Sequence, residues 1–152
     1  MAKKKILSKE TLVGKAGAHL VCCDLIMQGY DAFLTDEGSP YDIVVDIGNK
    51  LKRIQVKTTR KLVSPNKSRD IYRFGTRKAK GHRKRYDIDQ VDYFAFVVMD
   101  VKKVAYLSIK QMTGKDKNIK ITMEFRTRKL KYCGHGKYFE DYQAFEGNGP
   151  HE

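Results

Sequence analysis

The chain has no tryptophan, three prolines and three cysteines in 152 residues. An odd, small number of cysteines does not describe a disulfide scaffold, and without an export signal it points to a reducing interior. No apolar run is long enough to cross a bilayer. The opening MAKKKIL is basic but has no apolar core behind it, so it does not read as a secretory signal. These features together predict a cytoplasmic protein. Acidic residues are also scarce, with 18 Asp and Glu against 31 Lys and Arg, a net charge of +13. That surplus favours a polyanionic partner, with nucleic acid first. The length suits one domain with a real core. No internal repeat and no domain-scale linker interrupts the chain.

Chemistry concentrates in Tyr41–Thr59, YDIVVDIGNKLKRIQVKTT. Two alternating runs, Tyr41–Ile47 and Leu51–Thr58, flank Gly48-Asn49, a short-range signal for an antiparallel hairpin. With those two residues as the loop, Ile47 sits opposite Lys50 and Asp42 opposite Gln55, with Lys57 diagonal. A four-residue loop would put Asp42 opposite Lys57. Either loop keeps the three polar groups on one face, because only an odd slip turns a strand over. A carboxylate, an amide and an amine gathered there suit a metal and general-base site. As plain residues on the open face of an amphipathic hairpin, the same three would have no chemistry.

Before the hairpin, Ser8 can cap a helix spanning about Lys9–Gln28, with Glu10 favoured in its first turn. Val13, Ala16, Leu20, Cys23 and Met27, widened by Leu12, Val21 and Leu25, are the expected buried stripe. The adjacent Cys22 and Cys23 read as packing residues. Gly29 ends the helix, and Tyr30–Thr35 is a predicted strand. After the hairpin come a polar connector from Arg60 to Arg69, a predicted strand at Ile71–Gly75, and the densest basic run, Arg77–Arg85. Gly81 breaks that run as a helix, leaving a loop able to lie along phosphates through Arg77, Lys78, Lys80, His82, Arg83, Lys84 and Arg85. Tyr93–Met99 and Val104–Leu107 read as paired strands closing the sheet. Further on, Ile119–Phe125 is a predicted strand. Tyr138–Phe145 reads as a short terminal helix or tail whose aromatics dock on the core or on a second subunit. Cys133-Gly-His135 lacks a second ligand pair for zinc.

Three separated blocks resemble one family. Asp42 followed by Gln55-Val56-Lys57 resembles the PD-(D/E)XK nuclease motif, with Gln in the acidic position. The helix segment Gly14-Lys15-Ala16-Gly17-Ala18-His19-Leu20-Val21, closed by Gly29-Tyr30, is similar to the family's first helix. The series Tyr86, Asp89, Val91-Asp92-Tyr93-Phe94-Ala95 and Val104-Ala105-Tyr106-Leu107 is similar to the branch found as homing endonucleases with bacterial and phage group I introns. The resemblance implies an α/β (α+β) PD-(D/E)XK core: a mixed central β-sheet, an N-terminal helix and flanking helices. It implies one endonuclease domain over 1–152, with its core at about 8–110 and 111–152 as a C-terminal extension.

The same resemblance implies Asp42 as main ligand of Mg²⁺ (or Mn²⁺), the Val56 carbonyl as second, and Gln55 as a further ligand or holder of a metal-bound water. Lys57 would orient or deprotonate the attacking water. Ala18 stands where the family carries a metal-binding Glu, through natural loss or through a deliberate Glu→Ala change, so cleavage should be poor. The implied substrate is double-stranded DNA in a bacterial or phage-infected cell. A single site cuts one strand, so a homodimer or homotetramer is expected. Two other functions fit the same residues: a Holliday-junction or other structure-selective nuclease of this fold, and a non-catalytic basic DNA- or RNA-binding protein.

Overall fold

A computed structural model describes residues 8–60, 71–78, 85–126 and 136–145. The chain opens with helix α1 (Lys9–Met27), where the Ser8 hydroxyl accepts from the Thr11 backbone N–H at 3.2 Å and Glu10 lies in the first turn. Gly29, at φ +95°, turns the chain out of the helix into strand β1 (Asp31–Leu34). Strands β2 (Ile43–Ile47) and β3 (Lys50–Thr59) form the hairpin, joined by Gly48 and Asn49 with φ of 53° and 69°. Two consecutive positive φ values match the twist of the flanking strands. The observed register sets Ile47 opposite Lys50 and Ile43 opposite Ile54, as the two-residue loop requires.

Strand β4 (Ile71–Gly75) follows, then β5 (Tyr93–Val98), a short 3₁₀ turn at Met99–Val101, and β6 (Lys103–Ser108). A four-residue helix α2 (Ile109–Met112), strands β7 (Thr122–Arg126) and β8 (Lys137–Tyr138), and a 3₁₀ turn at Phe139–Tyr142 complete the described elements. The main sheet has the order β1-β2-β3-β5-β6, with β3 and β5 parallel and the other pairs antiparallel. The fold is thus the expected mixed sheet with an N-terminal helix. Its second layer differs from the flanking helices expected. A three-stranded sheet, β4-β7-β8, lies opposite α1.

Burial on both faces explains why β5 reads as a continuous apolar run, with Phe94 to Val98 all buried. On the α1 side, Val21, Leu25, Ile43, Val45, Ile54, Val56 and Val97 form one cluster. On the other side, Phe74, Phe94, Phe96, Phe125 and Phe139 form a second. Phe145 is buried in the first cluster, and Gln28 fixes it by accepting its N–H at 2.8 Å, while Tyr30 donates to its carbonyl at 2.9 Å.

The helix presents a different face from the one its sequence suggests. Gly17, Val21 and Leu25 are the buried residues of α1, whereas Ala16, Cys23 and Met27 are exposed. Apolar residues lie on both sides of this helix, so counting them cannot choose the packed face. Gly17 chooses it. A Cβ there would come within 2.0 Å of Thr58 Oγ1 and 3.0 Å of Thr58 Cβ, so only glycine lets α1 approach β3 this closely. Of the cysteine pair, Cys22 is half-buried, its Sγ 3.4 Å from the Ala32 carbonyl, and Cys23 is exposed. Residue Ile119 lies outside β7, in an isolated bridge with Thr113. No helix among the described residues is long and apolar enough to cross a membrane.

Candidate active site

The hairpin register brings Asp42, Gln55 and Lys57 to the side of the sheet away from α1, since Ile54 and Val56 point into the helix-side cluster. Asp42 lies just before β2, tied to β3 by its backbone N–H, which donates to the Ile54 carbonyl at 2.9 Å. Its Oδ2 accepts from Gln55 Nε2 at 2.7 Å and from the Val56 N–H at 2.8 Å. Among the described residues nothing hydrogen-bonds to Oδ1. Burial raises the Asp42 carboxyl above its usual range, against the lowering pull of the Val56 N–H and the Lys57 charge.

Lys57 makes no direct ion pair with Asp42. Its Nζ donates to the Arg77 carbonyl at 2.9 Å and to the Tyr86 hydroxyl at 3.1 Å, and lies 4.8 Å from the Tyr86 ring centre. These partners are neutral, so burial dominates and brings the ammonium down to about 8, only partly opposed by Asp42. Tyr86 itself is pushed up to about 12, by burial first and the Asp42 charge second. Lys78 flanks the same ring, its Nζ 5.6 Å from the centre and 3.2 Å from Gln90 Oε1. Tyr86 is the site residue that the charge pattern missed. Its only signal in the sequence was its place ahead of Asp89 and Val91-Asp92-Tyr93.

Behind the site, Arg53 and Asp92 lock β3 to the start of β5. The guanidinium reaches Asp92 at 3.0 and 3.2 Å, and the Arg53 backbone N–H adds a third bond at 2.8 Å. These bonds hold Asp92 below the usual carboxylate range against the opposing effect of burial. The pair fixes the parallel register that seats Gln55 beside Phe94 and Lys57 beside Phe96.

Of the expected site residues, the structure therefore brings Asp42, Gln55, Val56 and Lys57 together. Ala18 is half-buried and packs against the helix-side cluster that holds Val56. Its neighbour Gly17 touches Thr58, one residue beyond Lys57. Arg77 and Lys78 border the site, the first through its backbone carbonyl. Arg85 instead pairs with Asp116 at 3.6 Å and lines a cavity of about 290 Å³ with Asn118, Lys120 and Thr122. Lys80, His82, Arg83 and Lys84 lie outside the described residues.

No three of His, Cys, Asp and Glu gather among the described residues, so a cage of acids is absent there. The donors that are present suit one hard cation carried largely by water: Asp42 Oδ1, the Gln55 side-chain carbonyl and the Val56 carbonyl. That carbonyl also accepts a long contact from Gln55 Nε2, at 3.3 Å.

The sequence pattern of the PD-(D/E)XK endonucleases matches residues 8–145. The chain belongs to the PD-(D/E)XK endonuclease family. Nucleases of this family generally use divalent metal ions. Among solved structures, the bacterial homing endonuclease I-Ssp6803I superposes with a TM-score of 0.61 at 13% identity, covering 90% of this chain and 88% of that one. The Archaeoglobus fulgidus Holliday junction resolvase Hjc superposes with a TM-score of 0.45 at 15% identity, covering 74% and 83%. At these identities the likeness to I-Ssp6803I is one of fold. No curated protein matches the chain closely enough in sequence to stand as a relative.

Proposed function

We propose that this PD-(D/E)XK nuclease is a sequence-specific, homing-type DNA endonuclease of the group I intron-associated kind, with Gln55 in the motif's acidic position and its activity weakened by Ala18. It acts on double-stranded DNA, as a homodimer or homotetramer, inside a bacterial or phage-infected cell. The observation that carries the reading is the convergence of Asp42, Gln55 and Lys57 on one strand face, with the Asp42 carboxylate held by two donors and Lys57 turned into neutral partners. Such an arrangement is poor packing and good chemistry: two ionisable groups are held close, and the environment moves each toward neutrality.

Phosphodiester hydrolysis needs a deprotonated water, in-line attack and charge relief on the departing oxygen. Lys57, near 8, exists in both protonation states around neutral pH. Its amine form can accept a proton from water, and its ammonium form can stabilise charge building on the phosphate. Asp42, Gln55 and the Val56 carbonyl would hold Mg²⁺ or Mn²⁺, which supplies Lewis acidity to the phosphate and its attacking water. The resemblance, and not a contact with the trio, assigns Ala18 a part here: it packs on the α1 side of β3, its methyl offers no donor or acceptor, and the cation would rest on a single carboxylate. Arg77 and Lys78 border the trio and would meet the DNA backbone beside the scissile bond.

The test uses three proteins with long DNA and Mg²⁺: this chain, its Ala18→Glu variant, and Ala18→Glu combined with Lys57→Ala. The expected result is discrete cleavage by Ala18→Glu alone, at least a hundredfold above the other two. Cleavage of four-way junctions in preference to any linear site would move the assignment to a structure-selective nuclease. A second reading has one observation in its favour, the absence of an acid at Ala18. It makes the chain a non-catalytic DNA-binding member of the family. Binding by all three proteins with cleavage by none would establish it.

A further inference from the structure

The solvent face of the second sheet changes character along the β4–β7 ribbon. Phe74 and Phe125 point into the core, while Arg73 and Gly75, facing Glu124 and Thr122, are exposed. Arg73 and Glu124 pair across the strands at 2.8 Å, as facing residues of opposite charge should. Toward the catalytic trio the pattern reverses. Beyond the last ladder pair the Thr76 N–H still donates to the Ile121 carbonyl at 3.0 Å. The same alternation therefore reaches Arg77 and Lys120, which are next on the exposed side of the two strands. Both are cations, and neither has an ion pair among the described residues. Like charges at facing positions repel, and nothing in the fold relieves it. This end of the ribbon adjoins the trio, because the Arg77 carbonyl accepts from Lys57.

Gly75, between the two pairs, is the second observation. Its backbone is outside the left-handed region, and a Cβ there would meet nothing within 4 Å. Neither conformation nor packing within the chain asks for glycine, and glycine weakens a strand. With Thr122 opposite, it leaves a low saddle where another backbone can come close. The adjoining cavity, lined by Lys120, Thr122, Arg85 and Asn118, holds one carboxylate, Asp116. That carboxylate is already engaged, by Asn118 at 3.0 and 3.1 Å and by Arg85 at 3.6 Å. We propose that this end of the ribbon is a DNA-backbone site. A phosphodiester flanking the scissile one lies between Arg77 and Lys120, and the DNA strand passes over Gly75 and Thr122. A phosphate there turns one repulsion into two attractions. The inference rests on the proposed function for naming the polyanion as duplex DNA. It adds Lys120, Gly75 and Thr122, which lie outside the basic run or carry no charge.

The test measures binding of the full chain to random-sequence duplex in chelator, so that cleavage plays no part. Lys120→Glu should weaken binding roughly tenfold and flatten the plot of log affinity against log salt by about 0.9, one phosphate contact. Lys50→Glu, at the β2–β3 turn, changes the net charge equally and should weaken binding no more than about twofold. The carboxylate introduced by Lys120→Glu would face Arg77 as Glu124 faces Arg73, so that variant should melt no lower than the parent. Gly75→Thr fills empty space in a strand and should also melt at or above the parent, yet bind duplex roughly fivefold more weakly. Equal losses from Lys120→Glu and Lys50→Glu would overturn the site and leave the nuclease reading standing. Parent-like binding by Gly75→Thr would overturn it too. Lys120→Ala removes the charge without adding a group, and an unchanged salt slope in that variant would be equally decisive against the site. A parent chain that ignores duplex altogether would overturn the proposed function, and the site with it.

Discussion

On one face of β3, Ile54 and Val56 lie beneath α1, pressed there by the close approach of Gly17 to Thr58. On the other face, Gln55 and Lys57 are also largely out of water, yet they lie beside Phe94 and Phe96 under Tyr86 and bind polar partners only. The same strand thus buries apolar groups on one side, where burial stabilises, and polar groups on the other, where burial costs. The first face makes the protein fold. The second is tolerated because the first is strong. Substitutions on the two faces should therefore separate stability from activity.

The largest effect on the packed face should come from Ile54→Ala. Ile54 is fully buried beneath α1, beside Ile43 of β2, and the loss of three carbons leaves a cavity that rigid neighbours cannot fill. Denaturant unfolding should show a loss of about 2–5 kcal/mol. A loss under 1 kcal/mol would mean the helix–sheet packing is not the main support. Gly17→Ala should follow, with a loss of about 1–3 kcal/mol from overpacking. Rotating the Thr58 side chain does not relieve it, because Thr58 Cβ itself would lie 3.0 Å from the new methyl. Both variants should bind DNA normally at temperatures where they remain folded. If Gly17→Ala leaves stability unchanged, α1 must slide on the sheet more freely than this contact allows.

The hairpin was readable because a period-two pattern and a Gly-Asn turn leave only registers of one parity, and the residues that converge on Asp42 follow from parity alone; the structure selects the two-residue loop. The buried face of α1 was not readable. Val13, Leu20 and Met27 look as apolar as Val21 and Leu25, and what decides between them is a glycine whose value lies in the contact with Thr58. The three-stranded second sheet was also hidden. Its strands β4 and β7 lie far apart in sequence, and their pairing of Ile71 with Arg126 through Gly75 with Thr122 depends on contacts no local pattern encodes. Tyr86 was missed as a site residue for a related reason. Its hydroxyl matters only because the fold carries it to Lys57. Charge density drew attention to Arg85 as a DNA contact, yet its guanidinium is turned to Asp116.

The smallest and most diagnostic effect concerns pH on the polar face. Folding holds Lys57 down to about 8, whereas the unfolded chain should titrate near the usual lysine value, about 10.4. Between these values the unfolded chain binds more protons than the folded one, so this residue makes stability rise with pH across that window. Below about 8 both forms are protonated, and the cost of burying the ammonium is felt in full. Lys57→Met keeps the side-chain volume and removes the titration. In chelator, the variant's stability relative to the parent should fall steadily from pH 7.5 to pH 10 and level off beyond it. Its absolute offset also includes the lost bonds to Arg77 and Tyr86, so the trend with pH is the quantity that isolates the charge. Asp42→Asn provides the opposite control in acid. Burial raises the folded carboxyl, so the unfolded chain binds fewer protons there, and the parent loses stability as pH rises through that range. The Asn variant should gain on it over the same interval. A difference between Lys57→Met and the parent that stays constant from pH 7.5 to 10 would show that Lys57 is as well solvated in the fold as outside it. The contrast between the two faces of β3 would then be one of shape, without the electrostatic cost assigned to the site.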